Sequence, residues 1–104
     1  MINEALEIEK EETPEGVKFI LKGRVDSINA DLLQKYLDEV LSGGQINVVL
    51  NMFRIGYLCS IGIRVILNAY KTAKDSGGTL GIEQPSENVK KVLAITSLDE
   101  ILII

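Results

Sequence analysis

The chain has 104 residues, of which 46% are hydrophobic and 25% are charged, and its formal net charge is −4 at pH 7. This size and balance are typical of one globular domain, and the acidic charge argues against nucleic acid as a partner. Histidine is absent and cysteine occurs once, which excludes serine–histidine triads, imidazole metal sites and internal disulfides. The sequence shows neither a secretory signal nor an apolar run of about 20 residues. We therefore predict a cytoplasmic domain without a cofactor, a metal or a membrane partner.

The sequence up to residue 44 predicts a β-hairpin followed by a helix. Residues 5–10 and 17–21 alternate apolar and polar side chains, and a Thr-Pro-Glu-Gly turn at residues 13–16 joins them. After the second strand, Asp26, Ser27 or Asn29 is placed to cap the helix. The helix ends at Gly43-Gly44, and helical spacing puts its apolar residues on one side: Leu33, Tyr36, Leu37, Val40 and Leu41.

The remaining sequence alternates strands and helices. Residues 46–52 predict a central strand covered on both faces, residues 63–73 an amphipathic helix ending at 76–78, and residues 79–83 a short strand. Pro85-Ser86 opens a third helix, and the apolar tail at 101–104 predicts an edge strand or a packing segment. The order β-β-α-β-α-β-α-β predicts a single α/β domain over residues 1–104. Its mixed central sheet has about four to five strands, with helices packed against it.

Ser60 lies where the predicted central strand passes to the second helix. Helix N-termini carry unpaired N–H groups and favour negative charge. Helical spacing directs Ile61 and Val65 away from the core face, which predicts a small docking surface beside Ser60; scattered surface aliphatics are the alternative interpretation. Gly62 lowers helix propensity by about 1 kcal/mol relative to alanine, which indicates either a partner contact or close packing of the helix on the sheet. The predicted core face of this helix consists of Ile63, Ile66, Leu67 and Tyr70.

Several short motifs occur together in a characteristic order. They are Gly-Arg-Val-Asp at 23–26, Val-Val-Leu-Asn at 48–51, Cys-Ser-Ile-Gly-Ile-Arg-Val at 59–65, the glycine pair before Thr79, and residues 92–99. From about residue 17 to the C-terminus, this set resembles STAS domains, specifically bacterial anti-sigma-factor antagonists. The resemblance implies the STAS fold and a partner-binding surface made by Asp26, Asn51, Cys59, Ser60, Ile61, Gly62, Arg64 and Val65.

The resemblance also implies a non-catalytic switch controlled by phosphorylation of Ser60. In that family, an anti-sigma factor with serine kinase activity phosphorylates the matching residue. The unphosphorylated antagonist binds the anti-sigma factor and thereby releases the sigma factor, and a serine phosphatase restores the binding form. A monomer or weak homodimer is expected.

Three positions differ from the family pattern. Asn51 stands where Asp is usual, Cys59 stands where Asp or Ser is common, and Ile61 is larger than the usual Ser or Ala. We expect Asn51 to lie near Ser60, so that the missing negative charge reduces phosphorylation.

Two alternative functions use the same region. Cys59 at a helix N-terminus could act in a thiol or phosphocysteine enzyme, although a second cysteine, a histidine and an adjacent Lys or Arg are missing from the sequence around it. Alternatively, the domain is a STAS-like scaffold or binding module, of the stressosome type or in other signalling, in which Ser60 is never modified.

Overall fold

The computed structural model describes residues 5–45 and 47–104, and within these ranges four strands and four helices follow one another. The elements are β1 (Leu6–Thr13), β2 (Gly16–Val25), α1 (Ala30–Ser42), β3 (Asn47–Leu58), α2 (Ser60–Asp75), β4 (Thr79–Glu83), α3 (Glu87–Ile95) and α4 (Asp99–Leu102). Ile46, the predicted first residue of the central strand, lies outside the described residues. None of the described helices is long and apolar enough to cross a membrane.

The four strands form one mixed sheet in the order β1-β2-β3-β4. β1 is antiparallel to β2, because the turn between them is tight and the Gly16 N–H donates to Thr13 Oγ1 at 3.1 Å. β3 runs parallel to both β2 and β4, with helices as the connections. The predicted single α/β domain with a mixed sheet is confirmed.

The helices cover one face of this sheet. Alternate strand side chains are fully buried, and they meet apolar side chains from the helices: Phe19, Leu21, Leu50, Met52 and Ile82 from the sheet, and Leu33, Leu37, Ile66 and Leu93 from the helices. Full burial of each such side chain contributes about 1.5–3 kcal/mol. On the opposite face of the two central strands, Ile20, Val49 and Asn51 are only half-buried. The prediction that the central strand is covered on both faces is therefore wrong.

β3 is longer than its sequence pattern predicts. The predicted strand ends at Met52, whereas β3 continues to Leu58 and buries Met52, Ile55 and Leu58 at intervals of three. Register shifts between β2 and β3 accompany this change of period. β-Bulges insert extra residues into a strand and so break the alternation on which the prediction depended. The extension brings the end of β3 beside the end of β2.

The C-terminal segment packs against the edge of β4. After the short helix α4, Ile103 forms a single parallel bridge with Ile82, and the Ile104 N–H donates to the Ile82 carbonyl oxygen at 3.0 Å. Leu102 is fully buried in the core. The tail is thus mainly a packing segment, with one bridge in place of an edge strand.

Candidate functional site

Ser60 is the first residue of α2, immediately after β3. The Cys59 N–H donates to the Val25 carbonyl oxygen at 3.0 Å, which fixes the end of β3 against β2. Cys59 is the N-cap residue, and its Sγ accepts from the Gly62 N–H at 3.4 Å. The prediction that Ser60 lies at a strand-to-helix junction is confirmed. Ser60 is exposed, and within residues 5–45 and 47–104 its hydroxyl makes no hydrogen bond.

A cleft of about 370 Å³ opens beside the Ser60 hydroxyl. It forms because β2 and β3 are parallel, so that their C-terminal ends meet at one edge of the sheet. The loop from β2 to α1 supplies one wall, and the β3–α2 junction supplies the other. The lining residues are Arg24, Asp26, Ser27, Ile28, Tyr57, Cys59, Ser60 and Ile61. The structure thus brings together four of the predicted site residues: Asp26, Cys59, Ser60 and Ile61.

Asp26 and Asn29 hold the β2–α1 loop in place. Asp26 Oδ1 accepts from the N–H groups of Ile28 and Asn29 at 3.0 Å, and Asn29 Oδ1 accepts from the Asp26 N–H at 2.9 Å. The Asn29 amide also donates to the Arg24 carbonyl oxygen at 3.0 Å. Asn29 occupies the N-cap position of α1, but its side chain makes no cap hydrogen bond there. These bonds give the loop a defined shape beside Ser60.

The rim of the cleft is apolar and carries one prominent cation. Ile28, Tyr57 and Ile61 are 82%, 46% and 44% exposed. The Arg24 guanidinium lies over the Tyr57 ring, 4.7 Å from its centroid, and Arg24 Nε is 3.4 Å from Asp26 Oδ2. We call the surface formed by Arg24, Ile28, Tyr57, Ser60 and Ile61 the Ser60 face. Clustered exposed apolar side chains of this kind are typical of protein-binding surfaces.

Ile28 and Tyr57 are site residues that no sequence pattern predicted. Tyr57 directly precedes the buried Leu58, so strand alternation would have directed it to the opposite, exposed side of β3 if β3 had been predicted to extend that far. Ile28 stands alone between polar loop residues, and no local pattern marks it. Both residues line the same cleft as Ser60 because β2 and β3 pair in parallel.

Val65 does not belong to the exposed surface. It is only 8% exposed, so the prediction of an exposed aliphatic residue at this position is wrong. The physical reason is that α2 packs against α1 as well as against β3 and β4, which widens its buried side beyond one helical stripe. Arg64 is exposed on the same helix.

The glycine at position 62 is explained by packing within the domain. A Cβ atom there would lie 2.6 Å from Val25 Cγ1 and 2.9 Å from Leu58 Cδ1. Gly62 is buried, so α2 approaches the ends of β2 and β3 closely. Of the two interpretations of this glycine, close packing of the helix on the sheet is the one that the contacts support.

Asn51 lies far from Ser60. Seven strand residues follow it before β3 ends at Leu58, and at roughly 3.3 Å per residue this places the two sites about 20 Å apart. The Asn51 amide donates to Glu83 Oε2 at 2.9 Å, and Lys18 Nζ is 3.0 Å from the same oxygen. The hydrogen bonds from Asn51 and Lys18 lower the pKa of Glu83 below 4.5. The expectation that Asn51 lies near Ser60 is therefore wrong, because β3 extends beyond it.

Cys59 is half-buried and serves as a helix cap. The sequence places no cation next to it, but the fold brings Arg24 into the same cleft. Among the described residues, no group of three or more acidic, histidine or cysteine side chains is arranged to hold a metal ion.

Nearly the whole chain is similar to a known domain family. The sequence profile of the STAS domain matches residues 7–104. A Thermotoga maritima protein, provisionally named an anti-sigma factor antagonist, is 35% identical over 75 residues, or 71% of this chain and 66% of that protein. The aligned part thus spans just under two thirds of that relative. The anti-sigma F factor antagonist of Paenibacillus polymyxa is 29% identical over 83 residues, or 79% of this chain and 71% of that protein.

Solved structures share the same fold. The anti-sigma factor antagonist SpoIIAA in its unphosphorylated form superposes with a TM-score of 0.82 at 18% identity, covering 93% of this chain and 86% of SpoIIAA. The phosphorylated form of SpoIIAA gives a TM-score of 0.75 at 19% identity, covering 93% of this chain and 89% of that structure. At this level of identity, the likeness shows the fold.

Proposed function

Because the chain belongs to the STAS domain family, we propose that it is an anti-sigma factor antagonist that binds its partner through the Ser60 face. Relatives named anti-sigma factor antagonists support this role. Ile28, Tyr57 and Ile61 supply exposed apolar area on that face. Arg24 supplies a positive charge, which suits an acidic patch on the partner.

The proposed binding is controlled by phosphorylation of Ser60. The observation that carries this proposal is the exposed Ser60 hydroxyl, free of hydrogen bonds to the described residues, which lines one cleft with Tyr57 and Ile61. A phosphate at this position would add about −1.5 to −2 charges at pH 7. The fold would tolerate it, because the N-terminus of α2 favours negative charge. A partner that buries Ile61 and faces Arg24 with acidic groups would lose affinity.

The proposed partners are an anti-sigma factor with serine kinase activity, which adds the phosphate, and a serine phosphatase, which removes it. The domain itself contributes no catalytic group in this scheme and acts in the cytoplasm. Its role is to present or withdraw one surface. Refolding is not required, because the modified residue lies on the outside of α2.

The proposal is tested with the anti-sigma factor encoded in the same genome. We expect the purified protein to bind it without ATP, and to acquire phosphate at Ser60 and dissociate when ATP is added. Ser60→Ala should stay bound in ATP, whereas Ser60→Asp should bind at least about tenfold more weakly, a loss of about 1.4 kcal/mol. Calorimetry measures the affinities, and mass spectrometry locates the phosphate.

A matched control separates the position of the charge from the charge itself. Asn68→Asp adds a negative charge two turns further along α2, at another exposed residue, and should bind like the wild type. Equal affinities for Ser60→Asp and Ser60→Ala would contradict the switch. A stable complex that never transfers phosphate to Ser60 would instead support the scaffold function.

A further inference from the structure

Two arginines on different elements are placed to reach a group on Ser60. Arg24, near the end of β2, lines the same cleft as Ser60. Arg64 follows Ser60 by four residues in α2, and residues at this spacing lie on one face of a helix. Arg64 is exposed, and it forms no ion pair within residues 5–45 and 47–104.

Arg24 is only loosely engaged in the unmodified protein. Its ion pair with Asp26 uses Nε at 3.4 Å, and the arginine side chain is 54% exposed. Exposed ion pairs of this type contribute at most about 1 kcal/mol. The terminal guanidinium nitrogens make no hydrogen bond to any described residue, and the group rests on the Tyr57 ring. These nitrogens are available to a second anion in the cleft.

We infer that a phosphate on Ser60 is held between Arg24 and Arg64, one arginine on each side. This inference rests on the proposed phosphorylation of Ser60. Guanidinium groups bind phosphate through paired, charge-assisted hydrogen bonds that are stronger than neutral ones. The first turn of α2 contains no acidic residue that would compete with the phosphate for the arginines. Among the residues that line the cleft, the competing carboxylate is that of Asp26, which pairs loosely with Arg24.

In this arrangement, phosphorylation changes the charge that the partner meets in two ways. Before phosphorylation, the Arg24 guanidinium stands exposed on the Ser60 face, beside Tyr57. After phosphorylation, the phosphate draws the guanidinium away from Tyr57 and Asp26. The modification therefore adds negative charge and also removes the exposed cation. An acidic partner surface loses an attraction at the same time as it meets a repulsion.

The test measures the phosphate directly and needs no partner. Phosphoserine is incorporated at position 60 during translation, and the second ionisation of the phosphate is followed by ³¹P NMR. This pKa is ordinarily about 6, and nearby cations lower it by favouring the dianion. We expect a value below that of the same protein unfolded in urea. Arg24→Gln and Arg64→Gln should each raise the pKa by about 1, the lower end expected for a cation in contact with the phosphate, and Arg24→Lys should restore most of the Arg24 effect.

Arg54→Gln is the matched control. Arg54 is also an exposed arginine, but it lies on β3 six residues before Ser60, so its replacement should leave the phosphate pKa unchanged. Thermal unfolding confirms that each variant is folded. An unchanged pKa in either Arg24→Gln or Arg64→Gln would overturn the two-sided arrangement. That result would not contradict the proposed function. Conversely, if the protein failed to bind an anti-sigma factor, the ³¹P measurement would still test the arginine arrangement, because it needs no partner.

Discussion

The helices α2 and α3 begin in different ways, although both first turns contact β3. At the start of α3, Ser86 Oγ accepts from the Val89 N–H at 3.2 Å and donates to the Ile55 carbonyl oxygen. Glu87 places a negative charge in the first turn, and the Asn88 amide donates to the Gly56 carbonyl oxygen at 2.8 Å. Each of these contacts stabilises the helix or closes the edge of β3 beyond the end of β4.

The start of α2 is stabilised less strongly. Its cap is a thiol at 3.4 Å from the Gly62 nitrogen, and its first turn contains no acidic residue. The Ser60 hydroxyl faces solvent beside exposed apolar side chains. The α3 start is thus built for stability, whereas the α2 start is capped more weakly and leaves Ser60 exposed. Natural proteins depart from local stability rules mainly at functional sites.

The largest expected effect is a loss of partner affinity that distinguishes two exposed aromatic residues of β3. Tyr57 lies beside the α2 start and Phe53 beside the α3 start, at 46% and 65% exposure. If only the α2 end binds the partner, Tyr57→Ala should weaken binding about 30-fold, or about 2 kcal/mol, as is typical of an interface aromatic. Phe53→Ala should leave the affinity within about threefold, by the same reasoning. Titration calorimetry with the anti-sigma factor measures both, and an equal loss in the two variants would end the distinction.

The free energy of unfolding should depend on the serine at the start of α3 and hardly on the serine at the start of α2. Ser86→Ala removes the cap of α3 and leaves the Ile55 carbonyl without its side-chain donor. We expect the free energy of unfolding to fall by about 1–2 kcal/mol. Ser60→Ala removes a hydroxyl that makes no hydrogen bond to the described residues and should change stability by less than about 0.5 kcal/mol. Urea titration at pH 7 provides both values; similar losses would show that the two serines are equally structural.

A third prediction concerns Asn51, at the end of the sheet that leads into α3. Asn51→Asp replaces the hydrogen bond to Glu83 with a second carboxylate, so we expect a loss of about 1 kcal/mol at pH 7 from like-charge repulsion. Phosphorylation of Ser60 should be unaffected, because the two sites are about 20 Å apart by strand length. Unfolding curves and phosphate incorporation test the two parts; a changed rate of incorporation would contradict the separation of the two ends.

The stability that Glu83 contributes should depend on pH. Hydrogen bonds from Asn51 and Lys18 lower the pKa of Glu83 in the folded protein below 4.5. A lowered carboxyl pKa contributes stability that is present above pH 4.5 and is lost as the pH falls through the folded value. Glu83→Gln should therefore be less stable than the wild type at pH 7, and the difference should shrink in acid. A constant difference between pH 7 and pH 3 would show that the Glu83 charge does not contribute.

Sequence patterns predicted those parts of the molecule that depend on local periodicity. The order of strands and helices, the short strand at 79–83 and the placement of Ser60 at the strand-to-helix junction follow from alternation, helical spacing and glycine breaks. The extension of β3 to Leu58 could not be predicted from these patterns, because bulges change the period from two to three. The remaining differences from the prediction come from tertiary contacts. Val65 is buried by packing that includes α1, and Ile28 reaches Ser60 only through the parallel pairing of β2 and β3.

The smallest expected effect tests whether the weak cap of α2 can be improved without affecting binding. A serine oxygen is a better acceptor for the Gly62 N–H than the Cys59 sulfur at 3.4 Å, since thiols accept weakly and serine is among the preferred N-cap residues. Cys59→Ser should therefore raise the free energy of unfolding by about 0.5 kcal/mol, measured by urea titration.

Cys59→Ala is the control for this change, because it removes the capping atom and supplies no replacement acceptor. We expect it to be less stable than Cys59→Ser, with both variants binding the anti-sigma factor like the wild type. If Cys59→Ser is instead less stable than the wild type, the half-buried thiol contributes more through packing than it loses as a weak acceptor. The α2 start would then be adapted to stability after all, and its contrast with the α3 start would be limited to the absence of a first-turn acid and the exposure of Ser60.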